Sequence, residues 1–221
     1  MELADRFAVE LRTEGGAQRL DVLAALIGAT LAGSANAVDE VLGTLDELAA
    51  SVEPTFPGVL AALFASGRLR GNSVDYADPR NSYLHEVLRR GLGIPITLSV
   101  CAIEVGRRIG IVVDGVGLPG HFIVRSGPLY ADPFNGGRTF RSEAVEGEWQ
   151  RQVGQRRHLD PAMLAATSPR LIALRMLNNL RNTLVAGSDP LALAGLVRLR
   201  SAFPELAHEE REHIRWMRHW N

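Results

Sequence analysis

The sequence has little cysteine, no long apolar run and little net charge, and each of these excludes a class of protein or of binding partner. The chain of 221 residues has one cysteine, Cys101, which excludes an internal disulfide framework and favours a reducing compartment. No stretch reaches the roughly 20 consecutive apolar residues of a membrane-spanning helix. The net charge is -1, which provides no electrostatic basis for binding nucleic acid or an anionic membrane.

Two further classes of protein lack support. The segment from Met1 to Arg6 is acidic where a secretory signal would be basic, and no apolar run follows it. The histidines outside the hairpin described below have no carboxylate or cysteine at the spacing of metal ligands. We therefore expect a cytoplasmic protein without a metal site or a cofactor.

The most informative stretch runs from Gly93 to Gly110. Pro95 favours the first turn of a helix, because its φ is preset and its missing N–H would have no partner there, and Gly110 favours the helix end. Small and apolar residues cover every face of the first turns, whereas the charged residues gather at the C-terminal end. A helix that is apolar all round is buried, so the pattern predicts a buried central helix.

The next stretch predicts a β-hairpin that carries a histidine and an aspartate. A β-branched run begins at Ile111, Pro119-Gly120 forms a turn, and residues 121–125 and 129–132 have the composition of short strands. His121 and Asp132 stand at corresponding ends of the two antiparallel strands, so we expect their side chains to meet. A buried helix packed on such a hairpin suits a thiol nucleophile, a base and the group that orients the base.

This order of elements resembles the transglutaminase-like core of the papain-like superfamily. More closely, it is similar to the bacterial SirB-type proteins, which join such a core to a tetratricopeptide-like helical tail. The resemblance covers roughly Leu45 to Pro204 and implies an α+β fold: a central buried helix on a small antiparallel sheet, flanked by N-terminal helices and a C-terminal helical hairpin. Four motifs carry it: Asn81-Ser82-Tyr83-Leu84, Gly93-Ile94-Pro95-Ile96-Thr97-Leu98-Ser99, Pro119-Gly120-His121-Phe122 and Asp132-Pro133-Phe134-Asn135-Gly136-Gly137.

The nucleophile position departs from the pattern of the active enzymes. In those enzymes the helix begins Gly-x-Cys, with a small residue four positions after the cysteine and an arginine twelve after it. Aligned on Gly93, this pattern places Ser99 at the small residue, Arg107 at the arginine and Pro95 at the nucleophile. Cys101 lies six residues further on, which on a helix is about 240° round the axis and some 9 Å along it.

Two other side chains are weaker candidates for the nucleophile. Ser99 lies one turn after Pro95 on the same face, where a histidine would have to activate its hydroxyl, although a serine in a buried helix usually donates to a carbonyl one turn earlier. Cys101 is by default an inert buried thiol. The resemblance therefore implies a retained base and orienter, His121 and Asp132, without the expected cysteine.

Asp78-Pro79 predicts the N-cap and first residue of a helix that runs to Arg90. Asn81 and Ser82 would then lie in its first turn, beside the start of the central helix. They are either capping residues, or Asn81 donates a hydrogen bond to a bound carbonyl as an oxyanion hole does. The candidate substrate-binding residues are Asn81, Ser82, Pro95 and Phe122.

Helices are predicted on both sides of the core, which gives an N-terminal helical region (1–67), the core (68–157) and a C-terminal helical region (158–221). Residues 141–157 form a polar stretch. Two apolar stripes beyond it form a helix–turn–helix of about 34 residues that resembles one tetratricopeptide unit, which must dock on the core or on a partner. A last helix from Glu205 to Trp220 carries Trp216 and Trp220, which either cap that unit or anchor a partner.

Two function classes remain. The first is a non-catalytic module that binds a peptide or protein partner, and the missing cysteine at Pro95 favours it. The second is an enzyme of acyl transfer or amide hydrolysis that uses His121 as the base and Asp132 as its orienter. A hydrolase that activates water through His121 would not need the cysteine. The oligomeric state stays open.

Overall fold

Helices dominate the computed structural model, which describes residues 1–13, 18–154, 156–187 and 189–206. The α-helices are α1 (Leu3–Leu11), α2 (Leu20–Ala32), α3 (Ala37–Ala49), α4 (Phe56–Leu60), α5 (Leu84–Arg90), α6 (Pro95–Arg108), α7 (Val145–Val153), α8 (Pro169–Gly187) and α9 (Pro190–Arg200). The strands are β1 (Arg70–Gly71), β2 (Leu92–Gly93), β3 (Asp114–Leu118), β4 (His121–Ser126), β5 (Leu129–Asp132) and β6 (Arg138–Arg141). This α+β architecture confirms the predicted fold class, and none of the described helices is long and apolar enough to cross a membrane.

Helix α6 is the predicted central helix. Pro95 occupies its first turn, and Thr97 caps it, because the Thr97 Oγ1 accepts a hydrogen bond from the Ile94 N–H at 3.1 Å. Apolar residues on all faces of the first turns are buried, as their pattern predicts. Gly110 follows the helix with φ +75°, a left-handed conformation that glycine adopts without strain.

A four-stranded antiparallel sheet packs against α6, in the order β3-β4-β5-β6. Its first three strands are the predicted ones. Helix α7 lies in the stretch 141–157 that the sequence presents only as polar, and strand β6, also not predicted, ends where that stretch begins. Their signal is weak because β6 is an exposed edge strand, and α7 buries only Val145 and Trp149, one turn apart.

The helices that come before the sheet in the chain share one hydrophobic core with α8 and α9, which come after it. This core runs from Ala4 to Phe203. Helix α2 lies at its centre and packs against α1, α3, α8 and α9. The α8–α9 hairpin therefore docks on the core of its own chain. The helix predicted from Glu205 to Trp220 lies outside the described residues except for a short 3-10 turn, Pro204–Leu206, so the structure does not describe Trp216 or Trp220.

A buried ion cluster joins α2 to the C-terminal end of α6. The Asp21 carboxylate is fully buried and pairs with Arg19, Arg107 and Arg108. Burial alone would raise the pKa of Asp21, but hydrogen bonds from Arg19 and Arg108 lower it to about 2. Glu104 pairs with Arg107 and Arg108, yet its burial and the nearby charge of Asp21 raise its pKa. The arginines at the end of α6 thus serve this cluster as well as the helix dipole.

The single helix predicted from Asp78 to Arg90 is divided in two. Asp78 caps a 3-10 helix, Pro79–Ser82, with Pro79 in its first turn, as predicted. Tyr83 is then extended, with φ −88° and ψ 110°, before α5 begins at Leu84. The division has a tertiary cause, because the Thr97 hydroxyl donates to the Asn81 carbonyl at 2.7 Å and takes an acceptor that a continuous helix would use.

Candidate functional site

His121 and Asp132 meet at one end of the sheet, as the sequence predicts. The His121 Nε2 lies 2.8 Å from the Asp132 Oδ2, and the two residues are 3% and 8% exposed. Strands β3 and β4 are joined by the two-residue turn Pro119-Gly120, in which Gly120 has φ +69°, so His121 is the first residue of β4. We call this pair the His–Asp site.

The Asp132 carboxylate has further hydrogen-bond partners. It accepts from the backbone N–H groups of Phe134 (3.0 Å) and Asn135 (3.3 Å) and from the Asn135 Nδ2 (2.8 Å). Burial would raise the pKa of Asp132, but the hydrogen bond and charge of His121 and the hydrogen bonds from Asn135 bring it below its ordinary value. An ionised carboxylate only accepts hydrogen bonds, so the His121 Nε2 carries a hydrogen toward Asp132.

Two aromatic rings, Phe134 and Tyr76, form a wall beside the histidine. The edge-on ring pairs have centroid distances of 6.4 Å for His121 and Phe134 and 5.8 Å for Tyr76 and Phe134. Gly71 lets the wall close, since a Cβ there would lie 2.5 Å from the Phe134 carbonyl oxygen and 2.6 Å from its ring. Strand β1, which ends at Gly71, pairs in parallel with β2, which ends at Gly93 just before α6. The start of α6 is therefore tied to this aromatic wall.

Packing along the sheet places the first turn of α6 at the same end. A Cβ on Gly106 would meet the Val113 side chain at 2.6 Å, and one on Gly115 would meet Ile103 at 3.2 Å. Residue numbers fall along α6 as they rise along β3, so the two elements run antiparallel. The helix start, with Pro95 buried in the first turn, accordingly faces the end of the sheet that carries the His–Asp site.

A model of the Transglutaminase-like superfamily matches residues 17–178, which is most of the chain. The chain belongs to the transglutaminase-like superfamily. The matched range crosses both boundaries predicted from the sequence, at residues 67 and 157, just as the shared hydrophobic core does.

Curated relatives include proteins from bacteria and mammals. The UPF0162 protein of Xylella fastidiosa (strain Temecula1) is 44% identical over 127 residues, which cover 54% of this chain and 45% of the relative. The UPF0162 protein of Pseudomonas aeruginosa is 31% identical over 157 residues, covering 70% and 57%. F-box only protein 21 of Mus musculus is 29% identical over 130 residues, covering 53% and 20%. The chain spans about half the length of the UPF0162 proteins, and no solved structure matches it significantly.

The two weaker candidates for the nucleophile, Ser99 and Cys101, are fully buried. Cys101 is fully buried, and burial raises the pKa of its thiol to about 12. The Ser99 hydroxyl, also fully buried, donates to the Pro95 carbonyl at 2.8 Å, the local bond expected for a helical serine. Neither side chain hydrogen-bonds His121 in the part of the chain that the structure describes. A role for Ser99 or Cys101 as the nucleophile stays a prediction.

Asn81 holds a loop through its side-chain amide, and its predicted contact with a ligand stays a prediction. Its Nδ2 donates to the Asp75 carbonyl at 2.7 Å, and its Oδ1 accepts from the Asn72 Nδ2 at 3.0 Å. The cap of the 3-10 helix is Asp78, which accepts from the Arg80 N–H. The fully buried amide of Asn81 thus joins the 3-10 helix to the loop 72–76.

The other candidates for substrate contact are buried as well. Ser82 is 3% exposed and Phe122 1%, and Pro95 is buried at the start of α6. The Phe122 ring lies beneath the Arg175 guanidinium, whose centre is 5.4 Å from the ring centroid. Adjacent residues of a strand point to opposite faces, so Phe122 packs in the core on the face opposite His121. These side chains are as deeply buried as His121, and their contact with a ligand stays a prediction.

Arg175 from α8 holds the turn before His121, and sequence analysis missed it. Its Nη2 donates to the carbonyls of Leu118 and His121, the latter at 2.6 Å. Burial lowers the pKa of Arg175, partly offset by Tyr76. No local signal marks this arginine, because it lies in an ordinary amphipathic helix far along the chain. Tyr76 and Phe134 were also missed as wall residues, although Phe134 lies in the quoted motif that begins at Asp132.

The described residues contain no group of three or more histidine, cysteine, aspartate or glutamate side chains placed to hold a metal ion. At the His–Asp site the described residues bring together the His121 imidazole and the Asp132 carboxylate. The His121 Nδ1 makes no hydrogen bond with any described residue, which leaves this nitrogen for a bound group or a water molecule.

Proposed function

We propose that the protein is a non-catalytic binding domain that holds a peptide segment of a partner protein at the His–Asp site. The motif alignment supports the proposal, because it assigns Pro95, which has no reactive side-chain atom, to the position of the superfamily's nucleophile, while His121 and Asp132 still pair. Tyr76, which is 51% exposed, offers an apolar face to a ligand, and the His121 Nδ1 offers a partner for a peptide group.

The finer likeness to SirB-type proteins belongs to the same proposal. The four sequence motifs support it, and the α8–α9 hairpin would be a single tetratricopeptide-like unit. Its consecutive antiparallel helices pack on α2, so only the outer face of the hairpin would remain for a partner protein.

A second candidate is hydrolysis of an amide by water that His121 activates. The observation in its favour is the ionised Asp132, which fixes the Nε2–H tautomer and leaves Nδ1 to accept a proton from water. The two candidates predict the same ligand class, and they differ in whether the ligand is cleaved.

Selection from a random-peptide phage library tests the proposal. We expect the wild-type protein to enrich a common motif, and Tyr76→Ala to lose that enrichment. Val74→Ala is the matched control, because Val74 lies in the same loop and is 98% exposed. Failure of the folded wild-type protein to enrich any motif would contradict the proposal.

The selected peptide then separates the two candidates. Mass spectrometry of the peptide after incubation should show it intact if the domain only binds. Cleavage that is lost in His121→Ala but kept in Cys101→Ala would establish water-activated hydrolysis in place of the non-catalytic role.

A further inference from the structure

A groove of about 520 Å³ opens beside the turn that carries His121. This volume lies within the roughly 300–1,000 Å³ of ligand pockets. Gly120, one of the lining residues, directly precedes His121, so the groove adjoins the His–Asp site. Its lining residues are Pro119, Gly120, Trp149, Val153, Arg157, His158, Leu159 and Met163.

The apolar part of the groove rests on a rigid base. Trp149 is 4% exposed and belongs to a second hydrophobic cluster formed by β3, β4, β5 and α7. Its indole Nε1 donates to the Pro119 carbonyl at 2.8 Å, which joins α7 to the turn before His121. Leu159 and Val153 pack on the same cluster, and Met163 is 41% exposed. Such a surface suits an apolar side chain, because little has to be ordered when the side chain binds.

The rim of the groove is positively charged at Arg157. Its side chain is exposed and forms no ion pair with any carboxylate among residues 1–13, 18–154, 156–187 and 189–206. The backbone around it is fixed, since the Gln150 side chain donates to the Arg157 carbonyl at 2.7 Å. The nearby carboxylate of Glu146 contacts other groups. It accepts a hydrogen bond from the Leu159 N–H at 2.9 Å and lies 3.1 Å from the His158 Nδ1. Arg157 thus carries an exposed cation on an anchored backbone at the edge of an apolar groove.

We propose that this groove receives a bulky apolar side chain of the bound peptide, and that Arg157 pairs with a carboxylate on the residue that follows. The proposal rests on the proposed function and adds the ligand class, an apolar residue followed by an acidic one. The apolar walls select the first side chain, and the exposed Arg157 guanidinium selects the second by charge complementarity.

NMR of the Trp149 indole N–H tests the proposal. In a Trp216→Phe, Trp220→Phe background only this indole remains, since the sequence has three tryptophans. The probe is the capped tetrapeptide alanyl-leucyl-glutamyl-alanine, and its glutamine counterpart is the neutral control. We expect the glutamate probe to shift the indole resonance saturably, and the glutamine probe to bind about two- to fivefold more weakly, the range of an exposed ion pair.

Variants of the rim identify the cation. Arg157→Gln should abolish the difference between the two probes, whereas Arg156→Gln, at the neighbouring exposed arginine, should preserve it. An indole resonance that does not move at the solubility limit of the glutamate probe would overturn the proposal, as would equal affinities for the two probes. A phage-selected peptide that depends on Tyr76 yet leaves the indole unmoved would keep the proposed function and eliminate only the groove.

Discussion

Iodoacetamide should modify Cys101 at least about 1000-fold more slowly in the folded protein than in denaturant. The thiolate is the reactive form, and burial raises the pKa of this thiol from 9.0 to about 12. A rise of three pKa units lowers the thiolate fraction at neutral pH about 1000-fold. The side chain is also fully buried, so the reagent reaches the sulfur only when the surrounding core opens, and this opening limits the rate even where the opened thiol regains its ordinary reactivity.

The assay is mass spectrometry of the alkylated protein over time, in buffer and in guanidinium chloride. His121→Ala is the informative variant, because an inert thiol should react at the same slow rate with or without the imidazole. A native rate within about tenfold of the denatured rate, lost in His121→Ala, would refute the reasoning. That result would mean that Cys101 and His121 form a thiolate–imidazolium pair. The nucleophile would then be Cys101, although the motif alignment puts Pro95 at the nucleophile position.

Three further predictions concern the framework around the site. Asp21→Asn should lower the free energy of unfolding by about 2 kcal/mol at pH 7, and the loss should shrink as pH falls from about 4 to about 2, because the carboxylate is stabilised only while ionised. Urea unfolding measures this loss. Glu104→Gln should lower the free energy of unfolding by less, because burial raises the pKa of Glu104, and equal losses for the two variants would contradict the prediction. Gly71→Ala should destabilise by about 1–3 kcal/mol through its clash with the aromatic wall, whereas Gly43→Ala in α3, where a Cβ meets nothing, should be neutral or stabilising by thermal unfolding. Arg175→Met should speed amide hydrogen exchange in the turn at residues 118–121, and unchanged exchange would remove its positioning role.

The parts of the fold that the sequence predicts best are those whose ends are marked by proline and glycine residues. Helix α6 begins at Pro95 and is followed by Gly110, and its apolar residues leave no solvent-facing stripe in the first turns. Strands β4 and β5 have strand composition and are joined by a turn at Gly127-Pro128, so even the contact of His121 with Asp132 could be predicted. These signals act within a few residues of one another, where backbone preferences are strong.

The features that the sequence does not predict depend on contacts that form only in the folded protein. Asn81 is a plausible cap by type, but its amide is engaged by Asn72 and Asp75, a network that only the folded loop reveals. Phe122 follows the histidine in sequence, yet the pleat turns it into the core. Arg175 acts more than 50 residues from the turn it holds, and no periodic pattern marks such a contact.

The central place of α2 sets a condition on synthesis. The helix is buried by α1 and α3, which precede and follow it closely, but also by α8 and α9, whose first residue comes roughly 140 residues after its end. At roughly 5–20 residues per second a ribosome needs about 7–30 s to cover that distance. During this interval the apolar face of α2 that packs on α8 and α9 is uncovered. A chain interrupted before Pro169 would therefore expose that face to chaperones or to aggregation.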